Sequence, residues 1–210
     1  SLAAQENQLT SLNISNCTAM TFLRCDENSL TSLNVSSNTL LTQISCNSNS
    51  LTNIDVSKNT ALTIFICSSN QLTSLNVSNN TLLKQFSCSN NQLTSLDVSN
   101  NTLLVDFFCS SNNLTSLDIS NNIKIQTFIC ATNKIENLDV SYNPKLTILW
   151  CSQNKLVTLN VKNGNNPGIT NFIATNNPNL TCIMVDNAAW ATTNWPNKPP
   201  TATYSENCGW

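Results

Sequence analysis

Three carboxylates, Asp97, Asp118 and Asp139, recur at intervals of 21 residues. On adjacent parallel rungs they would stand about 5 Å apart, a separation that suits paired acids at a glycosidic bond or cation binding through carboxylate and Asn oxygens. Seven cysteines, Cys25, Cys46, Cys67, Cys88, Cys109, Cys130 and Cys151, keep the same interval. They are raw material for disulfides, metal sites or redox chemistry. The chain has no His, so the commonest general base and metal ligand is missing. Repetition sets no carboxylate apart as acid from another as base. The aspartates therefore admit three readings: a solvated ladder, a weak site for a cation such as Ca²⁺, or catalysis. A straight cysteine file offers no tetrahedral cage, and an odd number cannot all pair. These cysteines read as buried free thiols, with partial disulfide pairing and metal or redox chemistry as alternatives. No catalytic residue, metal or cofactor is assigned, and the chain reads as a non-enzyme.

Composition narrows the partners. Only 10% of the 210 residues are charged, and the net charge is −2. An average domain carries about 25% charged residues. No basic field is available for a phosphate backbone, so nucleic acid is not expected. Three glycines and no Gly-rich loop argue against a nucleotide-binding turn. The 40% hydrophobic content is ample for one domain's core.

The elements that hold these residues come from the repeat. The unit from Asn70 reads NQLTSLNVSNNTLLKQFSCSN, with equivalent units from Asn7, Asn28, Asn49, Asn91, Asn112, Asn133 and Asn154. Within it L-x-x-L-x-L-x-x-N-x-L occurs twice, as Leu72, Leu75, Val77, Asn80, Leu82 and as Leu83, Phe86, Cys88, Asn91, Leu93. Each coil is thus two half-coils of 11 and 10 residues. This pattern resembles the leucine-rich repeat, whose Asn position also accepts Cys, as at Cys17. The doubled half-unit resembles a short bacterial subclass found in surface and secreted proteins of the Bacteroidetes group. That resemblance implies an exported, adhesive protein. The expected fold is a β-rich solenoid of about 8–9 coils, with two strand or extended segments per coil. Stacked about 4.8 Å apart, the coils make a rod on the order of 40 Å long. Two Asn files, Asn28 to Asn154 and Asn38 to Asn143, are expected to line the corners, where Asn tolerates left-handed backbone and bonds turn amides. The repeat also accounts for N-x-S/T matches such as Asn13, Asn34 and Asn76.

Residues 1–186 are expected to form the solenoid and 187–210 a C-terminal cap. Cys182 and Cys208 break the register and flank a tail containing Trp190, Trp195 and Tyr204. A disulfide there would close the cap, and this tail resembles the terminal cap of the same bacterial repeats. Such a disulfide favours an oxidising compartment. The chain starts at Ser1 without Met and has no apolar run approaching 18 residues. It therefore looks like a mature fragment without a membrane span, secreted or on a bacterial cell surface. Residues 1–6 give the N-terminal coil little cover.

Function is expected on outward positions. The first half-coil presents Ser, Asn and Asp throughout. The second presents Arg24, Ser45, Ile66, Ser87, Phe108, Ile129, Trp150 and Ile173, beside a file containing Phe22, Ile64 and Ile148. Ile64, Ile66, Phe108, Ile129, Ile148, Trp150 and Ile173 are the candidate binding residues, an apolar stripe suited to a protein or glycan. Alternatives are a homodimer interface, as in a self-associating surface protein, and coverage by an upstream segment or the tail. The longer unit through Lys162–Gly168 is expected to protrude as a lip beside the stripe. A Thr file, Thr10, Thr31, Thr52, Thr73, Thr94 and Thr115, has the regular spacing of an ice-binding ladder, although a polar turn file explains it equally.

Overall fold

A computed structural model describes residues 1–210. Nine short parallel strands form the main sheet: β1 (Leu2–Ala3), β2 (Phe22–Arg24), β3 (Gln43–Ser45), β4 (Ile64–Ile66), β5 (Gln85–Ser87), β6 (Asp106–Phe108), β7 (Thr127–Ile129), β9 (Ile148–Trp150) and β11 (Asn171–Ile173). The first half-coils are extended without strand pairing until β8 (Asn137–Asp139). From there β8, β10 (Thr158–Asn160), β12 (Cys182–Met184) and β13 (Thr203–Ser205) make a second parallel sheet of four strands. The chain is thus the expected solenoid. Residues 2 and 3 are already a rung, paired with Leu23 and Arg24, rather than loose cover over the first coil.

Alternation explains each three-residue strand. Phe86 points inward while Gln85 and Ser87 point out, and the same holds along the stack. The inward Phe65, Phe86, Phe107 and Phe128 are fully buried and stack at 5.6–5.8 Å between ring centroids. Each contributes about 1.5–3 kcal/mol of burial. The first half-coils pack less tightly. Leu75 and Leu96 are half-buried, and Leu82, an inward position in the repeat pattern, is exposed like Leu40. The half-coils differ in length by one residue, so Leu41 and Leu83 take the core and their neighbours are left at the corner.

The corners correct one expectation. The left-handed residues are not the outer-file Asn side chains but the residues just before them: Glu27, Ser48, Ser69, Asn90, Ser111, Thr132 and Gln153, with φ of 53–58°. The Asn amides instead sew coil to coil. Asn91 Nδ2 donates to Cys67 O, Cys88 O and Ser89 O at 3.1–3.3 Å, and its Oδ1 accepts from Leu72 N at 3.0 Å. In the second file, Asn80 Nδ2 donates to Val56 O and Asn59 O at 3.0 and 2.9 Å. Backbone amides and carbonyls that the corners remove from water are satisfied in this way.

The C-terminal segment closes the stack. The helix α1 (Ala188–Asn194) is capped by Asn187, whose Oδ1 accepts from Trp190 N at 2.9 Å. Trp195 then stacks on Phe172 at 4.5 Å and donates its indole N–H to Ile169 O. Tyr204 donates its hydroxyl to Trp195 O, and the expected Cys182–Cys208 disulfide is formed. This segment packs on the end of the stack, with Asn197 O accepting from Ala174 N, and leaves the outer face of the nine-stranded sheet clear, while its last residue, Trp210, reaches back to line a hollow with Asp118, Asp139 and Asn160 beside the four-stranded sheet. The Lys162–Gly168 connection is no free lip either. Asn163 and Asn166 are buried, and Asp186 accepts from the backbone N–H groups of Gly164 and Asn166.

Candidate functional site: the outer face of the nine-stranded sheet

The strands place every candidate binding residue on one outward face. Pairing aligns Ser87, Phe108, Ile129, Trp150 and Ile173 on successive rungs, and Gln85, Asp106, Thr127, Ile148 and Asn171 beside them. Ile64, Ile66, Phe108, Ile129, Ile148, Trp150 and Ile173 are all half-buried there, between inward residues with no exposure such as Phe128 and Leu149. Neighbouring rungs at about 4.8 Å put Phe108 and Ile173 about 14 Å apart.

The stripe is not continuous. Ser87 and Gln85 separate Ile64 and Ile66 from Phe108, leaving a C-terminal patch of Phe108, Ile129, Ile148, Trp150 and Ile173. Ile64 and Ile66 instead share a hollow with Phe22, Arg24, Gln43 and Gln85. The Trp150 indole nitrogen is buried and has no hydrogen-bond partner, so this side chain offers a partner apolar surface rather than a donor.

The aspartates do structural work. Asp97 Oδ1 accepts from Ser99 N at 2.9 Å, Asp118 Oδ1 from Ser120 N at 2.8 Å and Asp139 Oδ1 from Ser141 N at 2.8 Å, closing one turn per coil. Asn34 and Asn76 make the same turn with neutral amides. The Ser99 and Ser120 backbone N–H groups hold the Asp97 and Asp118 carboxyls below their ordinary pKa. Nowhere do three His, Cys, Asp or Glu side chains gather as a metal would need.

Cys25 through Cys151 form a ladder with no exposed surface, and Ala174 continues it. Burial, with a lesser effect of Asp26, pushes the Cys25 thiol up to about 12, and burial pushes Cys151 likewise to about 12. Such thiols are poor nucleophiles. Cys67 donates its S–H to Ser87 O, and only Cys17 among the eight free cysteines is exposed. The Thr file from Thr10 to Thr115 is exposed throughout.

Sequence reasoning passed over one cluster, Arg24 with Asp26 and Ser45. The signal was present: Arg24 is the sole charge in its outward file. Asp26, by contrast, falls at a position occupied elsewhere by Gln, Asn, Ser, Ala or Thr, and nothing in the repeat announces that it is buried.

No protein-family model and no curated protein matches the chain. Among solved structures it is similar to the functional domain of InlJ from Listeria monocytogenes, which includes a cysteine ladder. Identity is 31% over 97% of this chain and 52% of that one, with a TM-score of 0.75. This chain therefore spans about half the length of that domain. It is similar to internalin C2 from the same organism at 20% identity, over 87% of this chain and 79% of the other, with a TM-score of 0.71. It is also similar to the leucine-rich-repeat ectodomain of an Arabidopsis thaliana membrane receptor kinase, solved in complex with Casparian strip integrity factor 2. There identity is 18%, over 77% of this chain and 21% of the other, with a TM-score of 0.56. The fold is that of a leucine-rich-repeat protein.

Proposed function

We propose that this leucine-rich-repeat chain is a protein-docking module of the short bacterial subclass, exported or displayed at the cell surface for adhesion, and that its partner seats on the Phe108–Ile173 patch. The observation that carries the reading is the alignment of Phe108, Ile129, Trp150 and Ile173 on four consecutive rungs of a rigid sheet, with no part of the chain across them. Large apolar side chains held rigid in advance supply contact area without an ordering cost. A protein fits better than a glycan, because two of the four are aliphatic and lack the flat ring on which a sugar stacks. The Cys182–Cys208 bond supports an oxidising compartment, and no helix is long and apolar enough to cross a membrane. The InlJ likeness, which extends to the cysteine ladder, and the plant ectodomain solved in complex with Casparian strip integrity factor 2 support the reading by analogy. The reading has no catalytic step.

A protein and glycan array probed with the wild type, Trp150→Ala and Asn76→Ala tests it. Trp150→Ala is expected to weaken a protein hit by about 2 kcal/mol or more while the fold survives, its stability falling by about 1–3 kcal/mol because the ring is half-buried. Asn76→Ala is expected to leave binding unchanged. Glycan hits alone overturn the protein assignment. A dimer in sedimentation that Trp150→Ala dissolves makes the patch a self-association surface, and thermal hysteresis lost on changing Thr52 and Thr73 would move function to the exposed Thr file.

A further inference from the structure

Near the N-terminal end of the same face, Phe22, Arg24, Gln43, Ile64, Ile66 and Gln85 surround a hollow of about 330 Å³. Arg24 Nε donates to Asp26 Oδ2 at 2.8 Å, yet the Arg24 side chain is 50% exposed and that of Asp26 only 4%. The other Asp26 oxygen accepts from Ser45 Oγ and from Asn47 N. The buried carboxylate thus accepts three hydrogen bonds from within the chain, one of them from the Nε–H of the guanidinium. No residue of the chain accepts from the two terminal amino groups of Arg24. A guanidinium carries five N–H donors, so four stay free, in the geometry that takes a carboxylate by two parallel hydrogen bonds.

Because Asp26 already orients Arg24, a ligand need not freeze it. Apolar walls on one side limit water and strengthen a charge pair. The pair with Asp26 leaves the hollow near neutrality, which suits a monoanion better than a dianionic phosphate. The walls are aliphatic Ile64 and Ile66 with Phe22 as the sole ring, a surface for a methylene stem rather than for a sugar face.

We propose that this hollow is the socket for an acidic side chain, glutamate above all, of the protein partner, its carboxylate clamped by the free edge of Arg24. The proposal rests on the reading of this face as a protein-docking surface and adds the partner's chemistry. Arg24 lies four rungs from Phe108 and six from Trp150, about 19 and 29 Å at 4.8 Å per rung. A partner segment extended along the solenoid would then carry its acid about six residues from one apolar anchor and about nine from the other.

The test is NMR titration of the labelled full chain with N-acetylglutamate N-methylamide, its glutamine counterpart and galacturonate, following the Arg24 Nε–H and the Gln43 and Gln85 side-chain amides. The glutamate probe is expected to saturate these signals at about millimolar concentration, with the glutamine probe at least about fivefold weaker. Arg24→Gln is expected to abolish the response, Arg24→Lys to weaken it several-fold because the fork is lost, and Trp150→Ala to leave it unchanged. That last variant separates the hollow from the patch, so failure of one is not read as failure of the other. Equal response to the glutamine probe, persistence in Arg24→Gln, tighter binding of galacturonate, or no response at all would overturn the proposal.

Discussion

Replacing Asn91 by Ala tests how the coils are joined. Its amide donates to three carbonyls and accepts one amide, but the losses are unequal. Cys67 O keeps Asn70 Nδ2, Cys88 O keeps Asn112 Nδ2, and Ser89 O keeps the Ser69 amide. The Leu72 N–H has Asn91 Oδ1 as its sole acceptor and is left buried and unpaired. An orphaned buried amide costs about 1–3 kcal/mol, and each redundant bond contributes a fraction of the usual 1 kcal/mol or so. Together with the small void, Asn91→Ala should lose about 3 kcal/mol. Asn91→Asp should lose more, since it keeps the acceptor but turns a carboxylate oxygen toward three carbonyls. Asn7 is exposed and donates only to Ala4 O and Gln5 O, so Asn7→Ala should lose less than about 1 kcal/mol. Urea unfolding followed by circular dichroism measures all three. Equal losses at Asn7 and Asn91, or a loss below about 1 kcal/mol at Asn91, would refute the stitching argument.

The ladder thiols should be shielded: a thiol reagent is expected to modify only Cys17 in the native protein and all eight free cysteines after denaturation. Cys88→Ala should be mild, about 1 kcal/mol by urea unfolding, because Ala174 already holds the equivalent inward position. The Asp55, Asp97 and Asp118 carboxyls are depressed by their serine N–H groups, so the stability they contribute is present above the unfolded carboxyl pKa of about 3.9 and is lost as pH falls through the lower folded values. Melting temperature from pH 6 to 2 should therefore drop at the acid end, and less steeply in an Asp97→Asn, Asp118→Asn double variant, whose amides can close the same turns as Asn76. Reducing the Cys182–Cys208 bond, 26 residues apart, should cost about 3.5 kcal/mol on the chain-entropy model, seen as earlier urea unfolding with reductant.

Much of the architecture was legible because the repeat says the same thing many times. A period of 21, inward Leu, Phe and Cys at spacings of three and two in the second half-coil, and Asn at both corners leave few alternatives to a stacked solenoid. The outward residues of the candidate site follow from the same alternation, which by itself puts Phe108, Ile129, Trp150 and Ile173 in line. Their division into a patch and a hollow was not legible, because it depends on which side chains of the neighbouring file fill the gaps.

Periodicity alone determined the coil, its direction of stacking and which side chains face in, since a side chain's sense along a strand is a local property of the backbone. Only the tertiary structure decided the geometry of the corners and what breaks the period. It showed that Leu82 is left at a corner, that the left-handed residue precedes the outer-file Asn, that Asp186 pins the long connection, and that the tail caps the end of the stack without crossing the outer face of the nine-stranded sheet. It also buried Asp26 under Arg24 and Ser45, converting a surface charge into an oriented one. These outcomes depend on turn geometry, on contacts between neighbouring coils or on residues outside the repeat, none of which a residue's place in the period specifies.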